Sequence, residues 1–335
     1  MDNRDILAIG TSAGGVEALL CLAKAFPPSF PASIVVTIHL PMQFDSVLDS
    51  ILSWTGPLPA ALANNGQSIN KGRIYIAPPG SHLLVEGDNL SLGIGPRENN
   101  ARPAIDPMLR SAAACCGHRA IGVVLTGTLS DGASGLWALN QCGGVTVVQD
   151  PRDAAFPEMP LSALNRVEAD HVVRLRDMPA LLESLVHQPA GEPAAVPARI
   201  KYEVEVARGG RSSMNDLDQI GRRSVLSCPD CGRVTWELEQ KGLVRYRCHV
   251  GHAYTAELMN LAVDESLRRA LTMARRALDE RFALTKKLQK DAVREGRAAL
   301  AESWASRGRE FEHEATVIAN AIERLDRIAS DARAK

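Results

Sequence analysis

The sequence predicts an α/β protein: a parallel, doubly wound sheet domain followed by a small zinc-ribbon-like hairpin and C-terminal α-helices. Three observations carry this reading. Between residues 6 and 186 short apolar runs alternate with segments of helical period, the pattern of a parallel sheet covered by helices. A hairpin pattern between Cys228 and His252 is flanked by paired metal-ligand residue types. Beyond residue 255 the chain is rich in Ala, Leu, Arg and Glu and carries an apolar helical face.

In chain order, strands are expected at 6–9, 34–38, 73–77, 122–125, 145–148 and 171–174, with helices at 16–25, 107–116, 134–142, 161–166 and 179–186. A hairpin is expected over 83–94, where Glu86-Gly87-Asp88-Asn89 supplies turn residues between two apolar runs. Residues 188–199 are rich in Pro, Ala and Gly without an apolar period, which places a linker between a domain at 1–187 and a ribbon-like module at 200–254. Within that module residues 200–206 alternate apolar and charged. Over 255–335, Leu258, Leu261, Leu267, Leu271, Leu278 and Leu284 fall near one face. Long amphipathic helices broken around Gly296 and Gly308 are expected there, forming a helical hairpin or the seam of a dimer.

A chain of 335 residues accommodates two domains, or one with an appendage. The net charge of −1 gives no reason to expect nucleic acid as the partner. The charged opening Met1-Asp2-Asn3-Arg4-Asp5 runs straight into a strand, unlike a secretory signal, and no apolar run reaches the roughly 20 residues that insert across a membrane. A cytoplasmic protein is expected. Its 7 cysteines fit a reducing compartment, with Cys21, Cys115, Cys116 and Cys142 reading as core thiols.

Chemistry enters after the first strand. Gly10-Thr11-Ser12-Ala13-Gly14 satisfies G-x-S-x-G, which exposes a serine on a sharp strand-to-helix turn. The glycines permit that turn and admit a substrate to backbone N–H groups at a helix N-terminus, where an oxyanion is stabilised. Ser12 stands where a dinucleotide-binding loop needs its second glycine, and the second strand ends in His39 rather than a ribose-binding carboxylate. Serine needs a base, and His39 emerges at the same carboxyl edge. Asp131 follows the strand at 122–125 and supplies a carboxylate to orient it, with capping of the helix near Ala133 as its competing role. Asp106, before Pro107, reads as a plain helix N-cap. His82 and His118 rank as structural.

Cys228-Pro229-Asp230-Cys231-Gly232 is a knuckle, and across the hairpin Cys248 and His252 complete a four-ligand set, with His249 as substitute for His252. No open coordination position is implied, so a structural zinc is expected and no cofactor for catalysis. The sheet domain, lying before the linker, is expected to be an autonomous hydrolase that keeps its activity on a small ester when zinc is removed.

The order Ser, His, Asp along the chain departs from the common triad orders. The chain resembles the catalytic domain of the CheB family of chemotaxis protein-glutamate methylesterases. The stretches that carry the resemblance are Ile9-Gly10-Thr11-Ser12-Ala13-Gly14-Gly15, Ile38-His39-Leu40-Pro41, Ile76-Ala77-Pro78-Pro79-Gly80-Ser81-His82, Arg102-Pro103-Ala104-Ile105-Asp106, Leu125-Thr126-Gly127 with Asp131-Gly132-Ala133, and Met159-Pro160. The resemblance implies Ser12 as nucleophile, His39 as general base and Asp131 as its orienter. It also implies methyl esters of receptor glutamates as substrate, with glutamine amides as a second class. A methylated chemoreceptor-like protein and a methyltransferase or other signalling protein are the implied partners. The first strand begins so near Met1 that no receiver domain is expected before it, nor activation by a small phosphodonor. Ser12-Ala13 replaces the family's Ser-Thr pair and Thr128 stands where a methionine is frequent, which leaves the backbone N–H of Ala13 as the oxyanion-hole candidate. A signalling scaffold that keeps the fold only to bind receptors or a regulatory partner is the alternative; the retained triad residue types favour the enzyme.

Overall fold

Seven parallel strands form the main sheet, in the order β3-β4-β2-β1-β7-β8-β9. The structure is a computed structural model and describes residues 3–39, 47–210, 213–240 and 243–333. The first half runs β1 (Ile6–Thr11), α1 (Gly15–Ala25), β2 (Ser33–Ile38), α2 (Leu48–Thr55), β3 (Ala60–Leu62), β4 (Ile74–Ile76), β5 (His82–Glu86), β6 (Asn89–Gly93) and α3 (Ile105–Cys116). Then come β7 (Ala120–Val124), α4 (Ala133–Gln141), β8 (Val145–Gln149), α5 (Glu158–Leu164), β9 (His171–Val173) and α6 (Met178–Val186). The six expected strands and the hairpin β5–β6 are present. The short β3 and helix α2 are additions that the apolar pattern does not announce.

All residues of β1 and β2 are buried, as strands covered on both faces must be. The two-residue period of β1 sends Leu7 and Ile9 into one core with Leu19 and Leu22 of α1, while Ala8 lies in the other with Ile105, Met108 and Leu109 of α3. Gly10 is small for a reason: a Cβ there would stand 2.1 Å from Ile105 Cγ2, so only glycine lets the N-terminus of α3 reach the sheet. Strand order reverses at β1, with Thr11 beside Ile38 of β2 and Gly10 beside Val124 of β7. A crevice at the carboxyl edge of such a switch point is where open α/β sheets bind ligands.

Beyond residue 186 the chain has no helix or strand until α7 (Ala198–Arg208), followed by α8 (Met214–Ile220). The antiparallel sheet β10-β11-β12-β13 then spans β10 (Arg222–Ser227), β11 (Val234–Gln240), β12 (Leu243–Cys248) and β13 (Ala253–Thr255). The alternation over 200–206 is helical in α7, because Ile200, Glu203, Val204 and Ala207 share the buried face. That face carries a charge. Glu203 and Glu98 are buried with Arg110 of α3 and with Arg245 and Arg247 of β12. The ribbon-like sheet and the main sheet therefore belong to one compact unit, Met1–Met259. This bears on the expectation of an autonomous domain ending near Val186: such a chain keeps Arg110 and Glu98 but loses Glu203, Arg245 and Arg247.

A second unit covers Asn260–Lys335, within α9 (Ala256–Arg294) and α10 (Ala298–Arg333). The helices pair antiparallel, with Arg268 on Asp326 at 3.2 Å and Arg281 over the Phe311 ring at 4.4 Å. The break falls at Gly296, which has φ +73. Gly308, in contrast, lies inside α10, where a Cβ would stand 3.2 Å from Thr285 Oγ1 of α9; its small size serves helix packing rather than a break. No helix among the described residues is long and apolar enough to cross a membrane.

Candidate active site

Ser12 leaves the end of β1 on a turn fastened from several sides. Its N–H donates to Thr126 O at 3.1 Å, Thr11 Oγ1 donates to the same carbonyl at 2.9 Å, and Thr126 Oγ1 donates to Ala13 O at 3.0 Å. Gly14, N-cap of α1, has φ +73, a left-handed conformation that glycine adopts without strain and that aims the helix start at the serine. Among the described residues no acceptor takes the N–H of Ala13, which lies at the positive end of α1.

His39, one residue past β2, has Nδ1 3.2 Å from Ser12 Oγ and Nε2 2.7 Å from Asp131 Oδ2. Leu40 and Pro41, which complete its motif, lie outside the described residues. Asp131 is 2% exposed and His39 25%. Burial raises the Asp131 carboxyl, but the hydrogen bond and charge of His39, with N–H donors from Ile105 and Asn99, outweigh it and hold the pKa down at about 2. An ionised carboxylate only accepts, so Nε2 presents an N–H to Asp131, and with a single proton on the ring Nδ1 is left to accept from the serine hydroxyl. The sequence-predicted residues Ser12, His39 and Asp131 thus form one continuous hydrogen-bonded row.

The two aspartates exchange the capping roles expected of them. Asp131 takes the N–H groups of Ile105 at 2.7 Å and Asp106 at 3.1 Å, which open α3, in addition to that of Gly132. Asp106 does not cap its own helix: its Oδ1 accepts from Gly132 at 3.0 Å and Gly135 at 2.7 Å, at the start of α4. Each carboxylate serves the other's helix, an arrangement that arises because α3 and α4 start side by side at the sheet edge. Burial and the charge of Asp131 push the Asp106 carboxyl up to about 7.

Residues 7–182 match the family model described as CheB methylesterase. The chain belongs to the CheB methylesterase family. It is a carboxylic ester hydrolase by that membership. A relative from Leptospira interrogans is 37% identical over 180 residues, covering 53% of this chain and 93% of the relative. Protein-glutamate methylesterase/protein-glutamine glutaminase 3 of Myxococcus xanthus is 36% identical over 198 residues, 58% of this chain. The match spans 56% of that protein's length. The crystal structure of the Thermotoga maritima CheB methylesterase catalytic domain superposes with a TM-score of 0.53 at 33% identity, covering 56% of this chain and all of that one.

One further site residue, Asn99, is not foreseen in the sequence. Asn99 Nδ2 donates both to Asp131 Oδ1 at 2.9 Å and to Asp106 Oδ2 at 3.0 Å, holding the pair together. Its φ of +51 is one that asparagine tolerates better than most residues. His82, an alternative base by residue type, is fully buried with Nε2 on Pro96 O at 2.9 Å and Nδ1 accepting from Ala104 N at 3.2 Å, so both ring nitrogens are engaged in structure.

Beyond the family match, the candidate ligand atoms of Cys228, Cys231, Cys248 and His252 all lie within 4.8 Å of one another. His252 Nδ1 is 3.6 Å from the sulfurs of both Cys228 and Cys248, and Cys231 Sγ is 3.7 Å from Cys248 Sγ. Zinc bonds of about 2.3 Å to sulfur and about 2.0 Å to nitrogen at tetrahedral angles require separations of about 3.8 Å and about 3.5 Å. The donor set fits that ion. His249 is not part of it; its Nε2 faces Arg233 Nη1 at 2.9 Å.

Proposed function

We propose that the chain is a protein-glutamate methylesterase that removes γ-methyl esters from glutamate side chains of a methylated chemoreceptor-like protein. What carries the reading is the unbroken row Ser12–His39–Asp131, with contacts of 3.2 and 2.7 Å, in a member of this family. Ser12 Oγ attacks the ester carbonyl carbon while its proton passes to His39 Nδ1. The developing oxyanion faces the N–H of Ala13 at the start of α1, an interaction of a kind worth roughly 10²- to 10³-fold in rate. The methoxy C–O bond then breaks, and methanol leaves with the proton from His39. Water attacks the resulting acyl ester while His39 takes one of its protons, and Ser12 departs with that proton to leave a glutamic acid side chain, which ionises to the carboxylate in solvent. Asp131 fixes the ring and balances its transient charge. A glutamine amide follows the same route with ammonia as the leaving group.

A methyltransferase that esterifies the same side chains is the matching partner, and both act in the cytoplasm. The catalytic steps need no cofactor; a structural zinc is held by Cys228, Cys231, Cys248 and His252 in the ribbon. Methanol release from candidate methylated receptors, with and without Ser12→Ala, tests the function. Release that depends on Ser12 supports it, and release unchanged by Ser12→Ala rejects it.

A further inference from the structure

The carboxylate that orients His39 is held by a segment that the ribbon itself holds. Asn99 donates its side-chain amide to Asp131, and its backbone N–H donates to Ala253 O of β13 at 2.8 Å. Ala253 N returns a bond to Arg97 O at 3.3 Å. On the other side of the same carboxylate, Ser130 Oγ meets Thr255 Oγ1, also of β13, at 2.8 Å. The two ends of one short strand therefore brace both flanks of Asp131.

The strand is fixed to the candidate metal site from two directions: it pairs with β12 along its length, and Tyr254 Oη donates to Asp230 Oδ2 at 2.6 Å, inside the knuckle between Cys228 and Cys231. Its first residue follows His252, and the turn that joins it to β12 runs from Cys248 to His252, so two candidate ligands stand at the two ends of that turn. The apolar core of the ribbon is small, with Leu217, Trp236 and Leu238 at its centre. A sheet of that size depends on a staple. Strand β12 has a separate anchor in the buried pair of Arg247 and Glu98 at 2.9 Å. Loss of a metal therefore loosens the knuckle and the turn from Cys248 to His252, and shifts β13 through Tyr254 and its own first residue, while β12 keeps its anchor.

We infer that a zinc ion at Cys228, Cys231, Cys248 and His252 sets the position of β13, and that Asn99 is the positioning residue through which this reaches Asp131. The inference rests on the zinc reading above. It reverses the expectation that esterase activity on a small substrate is indifferent to the metal, because the sequence separates the two modules by a linker that the fold closes over.

The test uses the full chain and a small methyl ester, whose binding involves no protein partner. Zinc is removed with a chelator under reducing conditions and restored with zinc chloride, while the main thermal transition is followed in parallel. Stripping is expected to lower kcat by about 10- to 100-fold with KM unchanged, in line with the rate cost of a displacement near 1 Å, and zinc to restore it. Asn99→Gly keeps the positive φ and removes the amide; it is expected to show a similar loss of kcat and a smaller further loss on stripping than the natural chain shows, the remainder passing through Ser130 and Thr255. Wild-type kcat in the stripped protein or in Asn99→Gly would overturn the inference. So would losses that multiply when the two are combined, or disappearance of the main thermal transition on stripping. Less than about a tenth of an equivalent of zinc in protein from zinc-supplied cells would overturn the zinc reading and the coupling with it; a full equivalent with kcat indifferent to removal would overturn the coupling alone.

Discussion

Gly127→Ala adds one methyl group at the back of the nucleophile. A Cβ at Gly127 would stand 2.9 Å from Ser12 Cβ and 2.4 Å from Met159 Sδ. Ordinary carbon contacts are about 3.5 to 4.0 Å, so Ser12 must give by about 0.6 to 1.1 Å. Methionine can rotate its thioether away, but the serine turn is pinned by the bond from Ser12 N to Thr126 O at 3.1 Å, beside the glycine itself. A displacement of that size breaks or misaligns the 3.2 Å contact between Ser12 Oγ and His39 Nδ1. Expected are a fall in kcat of about 10²-fold and a loss of stability of about 1 to 3 kcal/mol from overpacking. Steady-state hydrolysis of a methyl ester and urea unfolding read the two effects. Wild-type kcat in a stably folded Gly127→Ala protein would refute the placement of Ser12 against this loop.

Asp131→Asn is expected to lower kcat by about 10³-fold or more, since an amide no longer balances the charge that develops on His39. With its folded pKa near 2 against an ordinary 3.8, Asp131 contributes stability that is complete above about pH 4 and is lost as pH falls through about 2. The variant should therefore lose about 2 kcal/mol at neutral pH and show a shallower acid limb in urea midpoint against pH; an unchanged limb would count against the pairing. Asp106 works in the opposite sense, because its carboxyl raised to about 7 makes ionisation progressively costly as pH climbs from about 4 through 7. Glu203→Gln leaves Arg110, Arg245 and Arg247 with one buried carboxylate fewer and should cost about 3 to 5 kcal/mol in urea unfolding; a cost below about 1 kcal/mol would show that the network is hydrated rather than buried.

The main sheet was legible because its strands are apolar on both faces and need no partner to be noticed. Ser12 and His39 were legible for a related reason: each stands one residue past such a strand, so the edge they share follows from the strand pattern alone. Asp131 was found, but its work was not, since which helix it caps depends on α3 and α4 meeting. Asn99 left no local signal; its two acceptors lie 7 and 32 residues away in the chain. Glu203, Arg245 and Arg247 sit in stretches where alternating charge reads as a solvated face. They become a buried network only when α7 and β12 close over α3, and this is why the linker suggested more independence for the sheet domain than the fold allows. The zinc-type ligand set lay at the other extreme, with spacing specific enough to select Cys228, Cys231, Cys248 and His252, although the choice between His252 and His249 required the fold.

The roles of Ser12 and His39 are tested most directly by methanol release from a methyl-esterified protein substrate, at saturating concentration, by the natural chain, Ser12→Ala, His39→Ala and the double variant. Members of one triad act as a unit, so each single substitution should lower kcat by about 10³-fold or more and the double should lose no more than either. More than about a tenth of the activity surviving in Ser12→Ala, or losses that multiply in the double variant, would contradict the assignment.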